Sequence, residues 1–413
     1  DQNGKIEAMA YQLEQIKTKL FGKKPIVKST LEKKEKKERD ILSYTRPIPV
    51  TITRTEHHSI KKNCSCCNRK LSNKQTKVFF EEDIPLPIQK TVTKHCVESG
   101  YCKGCKKQIS AINIPPKKAV LGKNVRKYIC ILSVANRMSH SQIQDHLKDV
   151  FDLSISIGEI GNILEQEAQN LRPEYQRLKK AIKKQSAVHY DETGWKVQKE
   201  ELGKYAWVAT GINTNEAIFS LGRSRGKGNI KELGTASVGI SDDYGAYRNA
   251  FDNHQLCFAH PQRKLRDLNQ SEQFTGEQKE QIEKTYNQFS ALYHSIRERS
   301  GDDVSTRRAS RWITAFNEIT KPNNHDPTQL KKLKESLFKN KDKYFTFLKY
   351  SNIPVDNNKA ERALRHLVIK RKISFGSKTQ RGAETTSVLA SIILSLKWND
   401  PNNWFQKYLK MAP

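Results

Sequence analysis

Ala187-Val-His-Tyr-Asp-Glu-Thr-Gly-Trp-Lys-Val197 decides the class of fold. Ala187 to Tyr190 has the β-branched and aromatic character of a strand, and it runs directly into an acid, Asp191, before a Thr-Gly turn. A carboxylate at the carboxyl end of a strand stands at the open edge of a sheet, where α/β proteins present their working side chains. The same layout returns at Ile240-Ser-Asp-Asp-Tyr-Gly-Ala-Tyr247, where Val238-Gly-Ile240 is the strand and Asp242 follows it. Trp195-Lys-Val197 and Tyr205-Ala-Trp-Val208 add two more predicted strands. On both sides the pattern is helical: Asn124 to Lys184, Ala246 to Tyr350, Asn358 to Lys372 and Ser387 to Trp398. The expectation is an α/β core, residues 186–245 with 354–413, split by a helical insertion at 246–353.

A third acid, Glu361, lies in Pro354-Val-Asp-Asn-Asn-Lys-Ala-Glu-Arg362. Each acid has an ordinary explanation. Asp191 suits the first position of a turn, as do Asp242 and Asp243 before Gly245. Glu361 suits a capping box begun by Asn358. Together they suit something else, because convergent carboxylates hold hard divalent cations such as Mg²⁺ or Mn²⁺. Two such ions stabilise both the attacking and the leaving oxygen of a phosphodiester displacement. The stretch after Glu361 supports that chemistry. Between Arg362 and Ala383 there are seven Lys or Arg residues and no acid, whereas a solvated helix face usually mixes signs. Arg362, Arg365, Lys370, Arg371 and Lys372 are therefore candidate phosphate contacts, with Trp195, Arg263 and Lys264 beside them.

Bulk composition agrees. The chain has 413 residues and a formal charge of +30, with a mean hydropathy of −0.76. So large a basic surplus points to a polyanion, and double-stranded DNA is the expected partner. The longest apolar run, Val388 to Leu396, is too short to span a bilayer, and no signal peptide is recognisable. The chain opens at Asp1 with no Met, as a chain lacking its natural first residues would. Lys and Asn usage fits a low-GC bacterium.

Cys64-x-x-Cys67 and Cys102-x-x-Cys105, separated by 34 residues, have the form of a four-thiolate zinc ribbon, expected across residues 47–118. Cys66 competes with Cys67 for one knuckle. In so polar a segment a structural Zn²⁺ would supply stability that apolar residues do not. Upstream, Ile6, Met9, Leu13, Ile16 and Leu20 recur at spacings of three and four, the seam of a short coiled coil in 1–22 that predicts a homodimer; the alternative is an amphipathic helix packed on its own protein. Residues 23–46 read as a basic linker. Within 119–185, Ser141 to Lys148 and Ile157 to Asn170 form a possible helix-turn-helix. His254, Cys257 and His260, three apart, would share a face if they lay on one helix, with His260 and Arg263 orienting phosphate or backbone and Cys257 in the core.

Several of these strings resemble one family. Val188-His-Tyr-Asp-Glu-Thr-Gly-Trp-Lys-Val197 is similar to the first-aspartate motif of insertion-sequence-66-type transposases. Cys257-Phe-Ala-His-Pro-Gln-Arg-Lys264 resembles that family's Cys-Trp-Ala-His-x-Arg-Arg-Lys segment, departing at Phe258 and at Pro261 to Gln262. Pro354 to Arg365 resembles its glutamate motif, Arg371-Lys-Ile-Ser-Phe-Gly-Ser377 the segment that comes after it, and Leu13 to Lys23 its N-terminal zipper. The resemblance covers nearly the whole chain in order. It implies a ribonuclease-H-like catalytic fold in which Asp191, Asp242 and Glu361 form the Asp-Asp-Glu triad and hold two Mg²⁺ or Mn²⁺ ions. It implies cleavage and strand transfer at an element's terminal inverted repeats, with target DNA and accessory transposition proteins as partners, in a bacterial cytoplasm at the nucleoid. A domesticated, non-catalytic DNA binder and a ribonuclease-H-like nuclease are the alternatives.

Overall fold

The computed structural model describes residues 121–411 apart from 200–203, 235, 301–303 and 351. It also describes 90–104, 106–110 and the short stretches 9–14, 16, 51–52, 54–56, 78 and 88. Cys64, Cys67, Cys105 and the linker 23–46 lie outside the described residues. The chain divides into two compact units, the smaller Phe21–Ile88 and the larger Asp1–Leu20 with Gln89–Pro413.

The larger unit is centred on a five-stranded mixed sheet. β3 (Ala187–Gly194), β4 (Tyr205–Gly211) and β5 (Ala217–Arg223) form an antiparallel meander, whereas β6 (Val238–Ser241) and β7 (Asn253–Leu256) continue the sheet parallel to β3. The strand order is β5-β4-β3-β6-β7. Order and direction are compatible with a ribonuclease-H-like core. Ala187 to Tyr190 are buried without alternation, as in a strand covered on both faces. Trp195 to Val197 does not form a strand of its own; Val197 makes an isolated parallel bridge to Ser377. The polar strand β7 was not expected. Its Gln255, fully buried, donates to Tyr344 O (2.9 Å) and accepts from Phe347 N (2.8 Å), so these side-chain bonds replace the apolar contacts that usually mark a strand. β7 thus places Asn253 to Leu256, expected within the insertion, in the sheet.

Two cores flank this sheet. One joins β3, β4 and β5 to α2 (Lys123–Val134), α3 (His140–Phe151), α4 (Ile157–Asn170), α5 (Arg172–Lys183), α6 (Gly228–Leu233), α12 (Asn358–Ser374), α13 (Gln380–Asn399) and α14 (Trp404–Lys410). The α3–α4 pair forms at the positions expected of a helix-turn-helix. Ser139 starts α3 with a capping box and Ser156 caps α4. Both helices contribute to this shared core, and α4 contains no Lys or Arg. The second core gathers β7 and the insertion helices α7 (Ala259–Asn269), α8 (Gly276–Arg299), α9 (Thr306–Thr320), α10 (Thr328–Lys339) and α11 (Lys341–Tyr344). Phe258 is its hub, stacked on Tyr293 at 6.0 Å and edge-on to Tyr344 at 5.1 Å.

Both outer strands are covered. Along β5, Ser387, Ser391 and Ser395 of α13 accept hydrogen bonds from the amides of Leu221, Phe219 and Ala217, each at 2.9 Å. Along β7, Gln255 bonds the insertion and Thr346 donates to His254 O at 2.8 Å. A separate antiparallel hairpin, β1 (Ser99–Cys102) with β2 (Lys107–Ser110), pairs Cys102 with Lys107. Residues 9–14 are helical (α1). Tyr11 meets the Phe274 ring at 6.3 Å and Glu14 bonds Ser271. Met9, Leu13 and Ile16, the expected coiled-coil seam, remain exposed.

Candidate active site

Parallel pairing of β3 with β6 ends at His189 and Ile240. Asp191 emerges two residues beyond on β3, and Asp242 leaves β6 directly after Ser241. Adjacent strands lie about 4.8 Å apart, so the two carboxylates come off neighbouring strand ends. One Asp191 oxygen accepts from Glu192 N (2.9 Å) and one Asp242 oxygen from Tyr244 N (3.0 Å). Each acid thus makes a local turn bond while the rest of its oxygen lone pairs stay available.

Glu361 arrives on the first turn of α12. The capping-box explanation does not hold: the N-cap is Asn357, and it makes no side-chain cap. Glu361 is bonded instead by Arg263 of α7, with His260 Nε2 at 3.7 Å. Asp191 registers all of these neighbours. Its carboxyl is held well above the usual carboxylate range, first by burial, then by the charges of Glu192, Asp242 and Glu361. Burial disfavours the charged form, and nearby like charges disfavour it further.

Asp243 faces elsewhere. It accepts from Ser336 Oγ (3.1 Å) and Asn340 Nδ2 (3.5 Å) on the insertion and pairs with Arg248. The fourth acid of the cluster, Glu192, was not anticipated. Tyr247 OH donates to it at 2.6 Å and Arg225 at 3.0 Å, and Arg225 lies over the Tyr244 ring at 4.0 Å. Glu192 is thus fully engaged in structure, with burial the first cause raising its pKa.

Asn357 joins the strand to the helix, a role with no mark in the sequence. It is completely buried. Its Nδ2 donates to Tyr190 O (2.8 Å), its Oδ1 meets His189 Nδ1 (3.0 Å), and its backbone N–H donates to Cys257 Sγ (3.1 Å). Because Nδ2 is committed to a carbonyl, Oδ1 is the acceptor, so His189 carries its proton on Nδ1. Burial lowers the His189 pKa to about 4, and the ring stays neutral.

Cys257, His260 and Glu361 place ligand atoms within 4.8 Å of one another. Burial pushes the Cys257 thiol up to about 12, and its sulfur already accepts from Asn357, so Cys257 serves the core. His254, Cys257 and His260 do not share a helix: His254 lies in β7 and His260 in α7.

Two expected DNA contacts are corrected. Trp195 is 1% exposed and its indole donates to Ser377 Oγ (3.1 Å), so it fastens the α12–α13 turn to the segment after β3. Lys370 is buried, and its Nζ donates to Ser133 O (2.7 Å). Neither can reach a phosphate. Arg371 ties Gly194 O and Thr193 Oγ1 to α12, while Arg263 is held by Glu361. Lys264, Arg362, Arg365 and Lys372 remain exposed.

The protein is a mixed α/β fold with carboxylates at the carboxyl ends of two parallel strands and a third on the helix packed beside them. Residues 118–385 match the model of the Transposase IS66 family, and the chain belongs to that family. Membership supports a transposase-related, DNA-processing function and implies divalent-metal use. Over 188 residues, 45% of this chain, it is 26% identical to "Uncharacterized protein y4jO" of Sinorhizobium fredii (strain NBRC 101917 / NGR234). The match spans about half of that relative, 56% of its length. Among the described residues no helix is long and apolar enough to cross a membrane.

Proposed function

We propose that the protein is a DNA transposase that cleaves element ends and joins them to target DNA, with Asp191, Asp242 and Glu361 as its catalytic carboxylates. The observation that carries this is that Asp191 and Asp242 leave the ends of neighbouring parallel strands while the charges of Asp242 and Glu361, after burial and Glu192, both help to raise the buried Asp191 carboxyl. Carboxylate oxygens are hard ligands, and hard divalent cations suit them. Asp191, Asp242 and Glu361 would hold Mg²⁺ or Mn²⁺, which when bound activates the attacking oxygen and stabilises the leaving 3′-oxygen. Asp242 is the second ligand on this reading, because Asp243 is spent on the insertion.

The chain's own groups do the positioning. Asn357 and Arg371 fix α12 against β3, and so set Glu361 against Asp191. Arg263 neutralises one side of Glu361, and Arg263 and His260 stand within reach of a phosphate brought to it. Arg362, Arg365, Lys372 and Lys264 offer cations to the DNA backbone, which sets register rather than sequence preference. Cys64, Cys67, Cys102 and Cys105 would bind one structural Zn²⁺. The exposed seam of Met9, Leu13 and Ile16 supports a homodimer on DNA, and Leu13→Glu would dissociate it in sedimentation.

The test is end cleavage. Wild type and Glu361→Gln are incubated with Mg²⁺ and DNA carrying the inverted repeats that flank the gene. Nicks at the element ends, absent in the variant, support the reading, and strand-transfer products separate a transposase from a nuclease. Tight binding without cleavage by either protein would favour a non-catalytic binder, although all three acids are intact.

A further inference from the structure

Helix α12 closes on Phe375, at φ 56° and ψ 20°, the left-handed conformation that glycine supplies at most helix ends. Gly376 comes next at φ 102°, and a Cβ there would fall 2.2 Å from Lys196 O, so the turn presses directly on the segment after β3. Ser377 N bonds Lys196 O and Gln198 N bonds Ser377 O, each at 2.9 Å, and the Trp195 indole bonds Ser377 Oγ. The turn is therefore held at several points, yet the side chain it presents is 71% exposed. That is the highest exposure of any large apolar side chain among the described residues from 121 to 411. An aromatic ring held in a backbone conformation that costs it energy, and then left in water, contributes nothing to the core.

Its neighbours indicate what it meets. At 100° per residue, Glu361, Arg365 and Lys372 fall on one face of α12, and Phe375 closes the helix at its far end. Arg362, Ile369 and Ile373 flank that face and are also exposed. The helix thus presents a rail that starts at a catalytic carboxylate, carries cations and apolar groups without an acid, and ends on a ring. We propose that this rail carries the DNA duplex away from the carboxylates, and that Phe375 inserts between bases and unstacks one step. The inference rests on the DNA-cleaving reading of the carboxylate site. The helix from Glu361 to Ser374 spans roughly 20 Å, or about six nucleotides at 3.4 Å each. An apolar ring offers phosphate nothing but gains a partner in every base face, and apolar wedges between base steps kink duplexes in this way.

The experiment places 2-aminopurine at successive positions three to nine nucleotides, on the order of the span estimated, from the cleavage point in end-bearing duplexes. Fluorescence is read with full-length wild type, Phe375→Ala and Phe375→Gly in metal-free buffer, and cleavage is then started with Mg²⁺. Wild type should raise the signal severalfold at one position near the sixth. Both variants should lose that rise, bind about tenfold more weakly, as one lost ring–base stack predicts, and regain cleavage on a duplex already mismatched at that step. Phe375→Gly relieves the left-handed backbone, so it should melt no lower than wild type, which separates lost function from lost fold. A fluorescence rise unchanged in the variants overturns the inference while leaving the cleavage reading intact. A change confined to oligomeric state also overturns it, by assigning the ring to a protein contact. Absence of DNA binding by wild type would remove both.

Discussion

Replacing Asn357 with Ala tests whether one buried side chain sets the distance between strand and helix carboxylates. The change deletes a donor to Tyr190 O at 2.8 Å and an acceptor for His189 Nδ1 at 3.0 Å, at a residue with no exposure. Each partner left unsatisfied in the interior costs about 1–3 kcal/mol. The expected loss is therefore about 2–6 kcal/mol, read by guanidinium unfolding monitored through tryptophan fluorescence. The effect on cleavage should be separable and larger. With its anchor gone, the first turn of α12 can drift, and a shift of about 1 Å in a reacting group costs about 10²-fold in rate. Cleavage by Asn357→Ala should fall by that order at a temperature where the variant is still folded, with more Mg²⁺ needed for half-maximal rate. Asn357→Asp should do no better, since it keeps an acceptor for His189 but turns a carboxylate oxygen towards Tyr190 O. Stability within about 0.5 kcal/mol of wild type, the range of a neutral surface change, would refute the anchoring role outright.

Further outcomes are expected from the same structure. Asp191→Asn removes a carboxyl whose ionisation is opposed by burial and by the charges of Glu192, Asp242 and Glu361; it should melt above wild type in chelator and lose cleavage. Mg²⁺ at a hundred times its Kd should stabilise wild type by about 2.7 kcal/mol, and a comparable gain in the variant would remove Asp191 from the ligand set. Burial lowers the Lys370 pKa to about 8, whereas an unfolded lysine titrates near 10.4. Between those values the unfolded chain binds more protons, so the Lys370 contribution to stability rises with pH across that window. Lys370→Met should therefore gain most over wild type at pH 7 and least near pH 10, and a difference independent of pH would contradict the burial argument. Denaturing the protein in the presence of a chromogenic chelator should release one Zn²⁺ per chain, and none from Cys102→Ser; full release from that variant would exclude the four-thiolate site.

The sequence revealed the acids more readily than their surroundings. Asp191 and Asp242 were legible because a short strand ending in an acid is a local pattern. Glu361 was legible through the cation-only stretch after it. The choice between Asp242 and Asp243 was not, because the partners that turn Asp243 away, Ser336 and Asn340, lie more than ninety residues on (93 and 97). Strand β7 was missed because its inward side chains are polar and satisfied by the insertion. Trp195 and Lys370 misled for the converse reason: a tryptophan and a lysine beside a phosphate-binding motif look like contacts until burial shows that both are held in the interior. Asn357 was hidden in a run of three polar residues, Asp356 to Asn358, of which one alone is fully enclosed.

The serines along β5 act as a vernier. Four residues of helix advance about 6.0 Å and two residues of strand about 6.7 Å, so successive rungs from Ser387 to Ser395 drift by roughly 0.7 Å. Three rungs fit within hydrogen-bonding tolerance, a fourth would not, and a slip of one turn would leave an amide bare. The helix is thereby locked in register on the strand. With Gln255 and Thr346 covering the opposite margin, neither border of the sheet can accept a foreign strand. Strand addition at either margin of the five-stranded sheet is thereby opposed, which leaves association between copies to other surfaces.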